Sequence, residues 1–594
     1  MTGCNQQRPD RTIVIVGGVA GGASCAARLR RLDESAAIVM LERGKHVSFA
    51  NCGLPYFISG EIHDRDKLLI TTPDRLSQRF RIDVRVRHEV MAIDRQRKTV
   101  EVRDHQSGQT YPLRYEKLVL SPGAAPVRPR LPGIEDARIF SLRTIGDAER
   151  IRAYLEANDP RRAVVVGGGF IGLEMAESLS HVGVHVTLIE LAAQVMLSVD
   201  REMAEWIHQH LRMKGVELIL EEGVARFSAG DDGSLVVSTD RGNQVPCDLA
   251  VLAIGVKPEV DLARKAGLEL GPLGGIKVND RLQTSDPDIY AIGDAIEVQD
   301  GILGGPRRIP LANLANRQGR LAADHIGGKE IACTDAYGTS VVRVFDLTVA
   351  STGASERALV AGGVPYEKSY THPASHAGYY PGAVPMVMKL LFAPETGRVL
   401  DGQLVGIDGV DKRFDVLATA MQLGATVSDL ARLELAYAPP FGTGKDAVNI
   451  AGYAASNILD GDVEIVHADQ VDGWLGEGAL LLDVRTVGEF RRGQLNQAVN
   501  IPIDEMRSHL TELPMNGAIL VYCLTGIRSY YVCRLLKQHG YRPLNLSGGY
   551  MVYCATYPNR CKGIPGLQRW RRALALETFC STPEERSIVR RNMK

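Results

Sequence analysis

The chain has no run of about 18 apolar residues, so no membrane-spanning helix is expected. It has no charge of one sign in excess. Its 69 Lys+Arg and 70 Asp+Glu leave a formal net charge of -1, which argues against nucleic acid as its main partner. Cysteine is sparse, ten in 594 residues, and no spacing matches a zinc site, so no metal centre is expected. Thin cysteine usage points to reduced thiols and a cytoplasmic location, not to a disulfide scaffold. The start, Met1-Thr-Gly-Cys-Asn-Gln-Gln-Arg-Pro-Asp10, lacks the apolar core of a secretory signal, in keeping with that expectation. One absence is local. In Ser48-Phe-Ala-Asn-Cys52-Gly-Leu-Pro-Tyr56 a single cysteine stands alone, and Phe57 occupies the position five residues on. A sulfur at Cys52 therefore has to pair with something small and external, or cycle through a sulfenic acid.

A chain of this length exceeds one core, so several domains are expected. Thr12-Ile-Val-Ile-Val16 reads as a buried strand. Gly17-Gly-Val-Ala-Gly-Gly22 follows, then a helix from about Ala23 to Leu32 and a strand Ile38-Val-Met-Leu-Glu42. The pattern recurs with Ala163-Val-Val-Val166, Gly167-Gly-Gly-Phe-Ile-Gly172, a helix through Leu179, and Val186-Thr-Leu-Ile-Glu190. Each is a βαβ unit closed by an acid. Glycine is needed at such a turn because a side chain would keep a pyrophosphate from the helix N-terminus, where free N–H groups and the helix dipole stabilise an anion. The second loop meets the fingerprint at Gly167, Gly169 and Gly172. The first meets it at Gly17 and Gly22, with Val19 at the middle position. Glu42 and Glu190 are each placed to accept from a ribose diol. Glu190 would repel a 2′-phosphate, and Leu191-Ala-Ala-Gln194 brings no arginine, so NADH is expected over NADPH.

These residues resemble the pyridine nucleotide-disulfide oxidoreductases. The resemblance implies an α/β chain with two Rossmann-like domains, FAD in the first and NAD(P)H in the second, followed by an α+β dimerisation domain. It makes Asp294, at the end of Tyr290-Ala-Ile-Gly-Asp294, a ligand of the flavin's ribityl chain. Within the family, the segment around Cys52 is similar to that of the coenzyme A-disulfide reductases, which form a mixed disulfide between one cysteine and coenzyme A. His376-Ala-Gly-Tyr-Tyr-Pro-Gly382, Ala436-Tyr-Ala-Pro-Pro-Phe-Gly442 and Lys445-Asp446 resemble C-terminal signatures of that branch. Coenzyme A is anionic and needs cations. Arg28 and Arg31 share a helix face at a spacing of three, and Arg79 is a further candidate. The resemblance adds Ser48 and Asn51 as coenzyme A contacts and Tyr380 as an active-site tyrosine. Two positions depart from it. Phe80 stands where some members have lysine, and Phe441 where some have a tyrosine that reaches the other subunit. Loss of that hydroxyl is expected to favour a persulfide over a disulfide substrate.

Farther on, Leu480-Leu-Leu-Asp483 and Ile519-Leu-Val-Tyr-Cys523 read as strands of a smaller α/β unit. Cys523-Leu-Thr-Gly-Ile-Arg528-Ser529 should wrap its N–H groups around a sulfur anion at a helix start. A tyrosine-phosphatase loop is one residue longer, because it encloses a tetrahedral phosphate. Asp483-Val-Arg485, Glu489-Phe490, Ala498-Val-Asn-Ile-Pro502 and Ser547-Gly-Gly-Tyr550 complete a resemblance to a rhodanese domain. It implies that Cys523 carries a persulfide beside Arg528, with Asp483 and Arg485 structural. Cys533, Cys554, Cys561 and Cys580 read as packing or incidental thiols.

The expected layout is an FAD-binding domain in two segments, 1–149 and 259–324, around an NAD(P)H-binding domain at 150–258. A dimerisation domain at 325–455, a linker at 456–463, a rhodanese domain at 464–560 and a tail at 561–594 follow. The expected function is NADH-driven reduction of coenzyme A persulfide, polysulfide and coenzyme A disulfide through Cys52, with Cys523 delivering sulfane sulfur. Rival readings are an NADH oxidase or peroxidase cycling Cys52 through sulfenic acid, and a module that recruits a sulfur-relay partner. The expected assembly is a homodimer.

Overall fold

The computed structural model describes residues 11–561. The expected tail from residue 562 on, with Cys580, and the first ten residues lie outside them. The described residues divide into two units, one of residues 11–186 and 223–338, the other of residues 187–222 and 339–561.

In the first unit, Thr12–Val16 lies at the centre of a parallel sheet, between Ala37–Glu42 and Lys117–Leu120, with Ile82–Val86 and Ile289–Ala291 at the edges. Ile13, Val14 and Ile15 have no exposed surface. A strand covered on both faces reads as a continuous apolar run, which is why the sequence betrays it. Each such side chain contributes about 1.5–3 kcal/mol of burial. The helix Ala20–Leu32 packs on this sheet and begins three residues earlier than expected, because Ala20, Gly21 and Gly22 all lie within its first turn. A second parallel set joins Arg162–Val166, Leu249–Leu252 and Ile139–Ser141. The last helix of this unit runs from Ala312 to Ile326, and Ile326 is buried in the first core. Ala336 still bridges Asp300. The first unit therefore runs on to residue 338, past the expected boundary at 325.

In the second unit, an antiparallel sheet runs Ser340–Val344, Leu347–Gly353, Val399–Gly406, Met386–Phe392, Glu367–Thr371. The helices Val410–Gln422 and Ala447–Leu459 accompany it. A parallel sheet follows, in the order Ile465–Val466, Arg542–Leu546, Ala518–Tyr522, Leu480–Asp483, Val499–Asn500. The expected linker at 456–463 is a correction. The helix Ala447–Leu459 occupies its first half, Ile458 packs into the second core, and Arg534 and Lys537 bind the Asp462 and Gly461 carbonyls. Polar residues here cap and clamp a junction; they do not free it.

The two sheets of the second unit meet through strand Glu367–Thr371. A Cβ placed on Gly548 would lie 3.0 Å from the Tyr370 Cβ, and His467 Nε2 lies 3.2 Å from the Glu367 carboxylate. Behind this seam Lys389, with no exposed surface, sets its ammonium among Asp200, Glu202 and Glu356. Those three carboxylates are spaced as a cation site would be, and the cation among them is the lysine.

Candidate active sites

The two glycine loops have matching geometry. Gly17 and Gly167 hold φ of +94° and +105°, the left-handed side that favours glycine. A Cβ on Gly22 would meet the Gly17 carbonyl at 1.9 Å, and one on Gly172 the Gly167 carbonyl at 1.9 Å. These glycines are therefore required by close packing of helix on strand. Gly169 differs, since a Cβ there would meet nothing within 4 Å, so its role is to leave the approach to the helix open. Val19 takes the matching cap position of the first helix. Glu42 is held by the N–H groups of Gly18 at 2.9 Å and Gly44 at 2.7 Å. The Glu190 carboxylate accepts from the Ala192 N–H at 2.8 Å. Both acids thus stand fixed at strand ends.

Asp294 lies in the short helical turn Gly293–Ala295, whose first N–H donates to Gln318 at 2.7 Å. Desolvation pushes its carboxyl above the ordinary range, and Arg143 acts against that. Desolvation in turn holds the Arg143 guanidinium below its ordinary value, with Glu259, Asp294 and Glu42 acting against that shift. Sequence reasoning missed Arg143, which no local motif marks.

Cys52 sits in the single turn Asn51–Gly53 and its thiol is exposed. Ser48 ahead of it takes φ +46°, and its carbonyl accepts from Ile70 at 2.9 Å, which anchors the segment. Phe57 is buried, with the Arg152 guanidinium 4.8 Å from its ring centre, so the position a second cysteine would take is a packing position. The Cys52 thiol is held above its ordinary value, first by desolvation, then by the charges of Glu174 and Asp294. Glu174, on the helix Phe170–His181, is a second residue that sequence reasoning missed. Removing its charge with Glu174→Gln should move the pH midpoint of Cys52 alkylation downward, because the thiolate is then opposed by one anion fewer. Iodoacetamide rates measured against pH test this, and an upward or absent shift would refute it.

Of the cations expected to face coenzyme A, Arg28 binds Asp324 at 2.8 and 2.6 Å, which clamps two helices together inside the unit. Arg31 and Arg79 are exposed. Arg30, directly before Arg31, is buried and donates to the Phe80, Asp33, Glu34 and Arg81 carbonyls. Phe80 packs against the first core.

In the second unit, Tyr380 is 43% exposed and its ring stands edge-on to His376 at 5.7 Å. Phe441 is 68% exposed, and the Tyr379 and Tyr437 hydroxyls meet at 2.8 Å.

Cys523 ends the strand Ala518–Tyr522 and is fully buried. The Gly526 N–H points at its sulfur from 3.1 Å and the Ser529 hydroxyl from 3.5 Å. Gly526, at φ +96°, turns the loop into the helix Ile527–Gln538. A Cβ on Gly549 would collide with the Cys523 carbonyl and the Thr525 and Gly526 nitrogens, so that glycine lets the next helix close over the loop. Arg528 makes a double ion pair with Glu489, at 2.8 and 2.7 Å, and Cys523 is among the groups that hold its charge. That pairing drives the Glu489 carboxyl down to about 2. Arg528 is therefore a fixed cation beside the sulfur. Arg485 and Asp483 form a buried pair at 2.6 Å, consistent with structural roles. From the neighbouring sheet, His372 abuts the loop at Thr525, and burial lowers its imidazole to about 4.

The comparisons follow this division. Residues 11–319 match the family model described as pyridine nucleotide-disulphide oxidoreductase, and 339–447 match its dimerisation domain. Residues 467–556 match a rhodanese-like domain. A coenzyme A disulfide reductase of Staphylococcus epidermidis is 36% identical over 444 residues, covering 75% of this chain and 99% of the relative. Among solved structures, reduced CoADR-RHD of Bacillus anthracis is 48% identical, with a TM-score of 0.91 over 94% of this chain and all of the other. A NAD-dependent persulfide reductase from A. fulgidus is 36% identical, with a TM-score of 0.85 over 91% and 99%. A water-forming NADH oxidase from Lactobacillus brevis is 30% identical, with a TM-score of 0.73, and its whole length aligns with 76% of this chain. The chain belongs to the pyridine nucleotide-disulphide oxidoreductases, a family of FAD- and NAD(H)-dependent enzymes, and carries a rhodanese-like domain at its C-terminal end.

Proposed function

We propose that this enzyme uses NADH to reduce coenzyme A persulfide, polysulfide and coenzyme A disulfide to sulfide and coenzyme A. The observation that carries the reading is one exposed thiol, Cys52, with Phe57 filling the place of a partner, in a chain that also holds an intact Cys523 loop. The named relatives, a coenzyme A disulfide reductase and a persulfide reductase, support it.

The residues present fit FAD. Gly17 and Gly22 form the close helix–strand cradle, Glu42 stands fixed at the strand end, and Asp294 and Arg143 offer desolvated charges on the same unit. Bound there, FAD supplies the two-electron relay between nicotinamide and sulfur. Gly167, Gly169, Gly172 and Glu190 are the corresponding residues for the nicotinamide nucleotide, and Glu190 favours NADH.

Cys52 supplies the nucleophile. Its thiolate attacks the coenzyme A sulfur of the persulfide, the terminal sulfur leaves as hydrosulfide, and a Cys52–coenzyme A disulfide forms. Two electrons and one proton then regenerate the Cys52 thiolate and free coenzyme A. Ser48, Asn51, Arg31 and Arg79 are the proposed coenzyme A contacts, with Arg28 holding the helix beneath. In the proposed symmetric dimer Tyr380 donates the proton; the exposed group Tyr379, Tyr380, Tyr437 and Phe441 gives the dimer an apolar, aromatic face.

Cys523 takes sulfane sulfur from polysulfide as a persulfide. The Gly526 N–H, the Ser529 hydroxyl and the Arg528 cation stabilise it. The Cys523 persulfide then passes its outer sulfur to the coenzyme A thiolate, which frees the Cys523 thiolate and forms coenzyme A persulfide. Cys523→Ser should lower polysulfide-dependent NADH oxidation at least about tenfold, by loss of that carrier, while coenzyme A disulfide turnover stays at the wild-type rate. Unchanged polysulfide turnover would remove the relay.

The alignment with a water-forming NADH oxidase supports a second reading, in which oxygen or peroxide converts Cys52 to a sulfenic acid. The rhodanese-like residues 467–556 have no use in that chemistry. Intact mass of the purified protein before and after a reductant separates the two. Loss of a coenzyme A mass supports the first reading, and an oxygenated Cys52 the second.

A further inference from the structure

The helix Gly549–Thr556 abuts the Cys523 loop, since the Tyr550 N–H donates to the Cys523 carbonyl at 2.8 Å. One turn farther along that helix stands Cys554, with no exposed surface. It belongs to a core with Tyr522, Tyr550 and Tyr553, and Cys561 packs against the same core. Cys561 is half-buried, open to solvent on one side. Its position is held by the turn Pro558–Arg560 before it. The Arg560 guanidinium binds Asp472 at 3.1 and 2.8 Å and the Tyr553 hydroxyl at 3.2 Å, and lies 4.5 Å from the Tyr557 ring centre. A turn tied down at three points fixes where Cys561 packs on the core that contains Cys554.

The two sulfurs differ in character. Hydrogen bonds from Cys554 and from the Tyr550 hydroxyl, with the charge of Arg560, bring the Cys561 thiol below its ordinary value against desolvation. Burial drives the Cys554 thiol far above its own. The charge of Arg485, 4.4 Å from the Tyr550 ring centre, acts on Cys554. One partner is a half-buried nucleophile beside the Arg560 cation, which suits attack on an anionic polysulfide. The other is a shielded thiol that keeps its proton.

We propose that Cys554 and Cys561 form a second redox site, a dithiol that reduces the sulfane sulfur of inorganic polysulfide. The Cys561 thiolate attacks a polysulfide sulfur and breaks a sulfur–sulfur bond, and a shortened polysulfide anion leaves. Cys561 is then a persulfide. The Cys554 thiol gives up its proton and attacks the Cys561 Sγ, and hydrosulfide departs as the Cys554–Cys561 disulfide closes. Two thiols are oxidised to one disulfide, and one sulfane sulfur takes up both electrons and becomes sulfide, so polysulfide itself is the oxidant. This goes beyond the reaction at Cys52 and does not need coenzyme A.

The test uses full-length holoenzyme carrying Cys52→Ser and Cys523→Ser, so that failure of the proposed main reaction leaves it unaffected. The protein is treated anaerobically with sodium tetrasulfide without NADH, then denatured, alkylated and mapped by peptide mass. The expected result is loss of alkylation at both Cys554 and Cys561, a disulfide-linked peptide pair, and more sulfide released than from the same protein with Cys561→Ser. Adding Cys554→Ala should leave Cys561 as a stable persulfide. If that variant does not fold, the half-exposed Cys561→Ser comparison still decides. The proposal is overturned if both thiols remain alkylable, if Cys561 carries a persulfide in the presence of Cys554, or if the disulfide forms only with peroxide.

Discussion

Cys52→Ser should lower NADH-driven reduction of coenzyme A disulfide and coenzyme A persulfide by on the order of a thousandfold or more. A serine hydroxyl neither ionises in the working range nor forms a mixed disulfide, so both halves of the sulfur chemistry stop together. No neighbour replaces it. Phe57 holds the position where a partner thiol would stand, and Cys25 and Cys247 of the same unit are buried, with desolvation pushing both thiols up to about 12. The variant should keep its binding of NADH, since the Gly167 loop is separate in sequence and intact. Steady-state kinetics with each sulfur substrate, together with intact mass, provide the check. Retention of more than about a tenth of the activity would sink Cys52 as the nucleophile, since general effects around a lost nucleophile seldom preserve that much. The wild-type rate should also rise with pH through the thiol range. The Cys52 thiol is held above its ordinary value, so its thiolate is scarce at neutral pH, and Glu174→Gln should raise that fraction.

Lys389→Met should destabilise the second unit by about 3–5 kcal/mol, because it leaves Asp200, Glu202 and Glu356 buried together without their cation. The lysine has no exposed surface, and its partners hold further bonds. The Tyr370 hydroxyl donates to Glu202 at 2.8 Å, Lys368 and the Tyr366 hydroxyl to Glu356 at 2.8 Å, and Gln403 to Asp200 at 2.7 Å. The pH dependence has a definite sign. Lys389 is raised well above its ordinary value, so its contribution is complete below about 10.4, the unfolded value, and is lost as pH rises through the folded one. Glu356 is lowered to about 2, chiefly by Lys389 and Lys368 against desolvation. Its contribution is present above about 4.3, the unfolded value, and falls away as pH drops through the folded one. Glu202 has the same sign, and Asp200, raised by desolvation, opposes it. In the variant the carboxylates lose their cation and rise above their unfolded values, so its stability should increase as pH falls through the carboxylate range. Urea unfolding at several pH values measures this. An unchanged unfolding free energy at neutral pH would refute the account.

Much of the fold was legible because it is written in short-range patterns. Thr12–Val16 and Leu480–Asp483 are strands at the residues expected, since buried parallel strands are unbroken apolar runs. The helix Ala20–Leu32 began earlier than read, because glycines that look like a loop form its first turn. The supposed linker failed for a related reason. A polar stretch was taken as solvated, yet Ile458 enters a core and Asp462 is gripped by Arg534. At the candidate sites, Gly17, Gly22, Gly167, Gly169, Gly172, Glu42 and Glu190 were legible as candidates because phosphate- and ribose-binding chemistry needs fixed residue types at fixed spacing. Arg28 could not be judged that way. Its helix face pointed to a ligand, and only the packing of Ala312–Ile326 against it revealed Asp324 as its partner.

The sequence by itself determined the family-level plan: two nucleotide loops, one lone thiol at Cys52 and a sulfur-wrapping loop at Cys523. Each of these is a local arrangement of side chains and turns, so spacing along the chain is enough to specify it. Only the tertiary structure decided which charges act on those sulfurs. Glu174 and Asp294 burden Cys52, Arg528 is steadied by Glu489, and Cys561 is packed on the core of Cys554 by a turn tied to Asp472 and Tyr553. Electrostatic effects fall off with distance in space, not with separation in sequence, and desolvation depends on everything packed around a group. Neither quantity exists until the chain has folded.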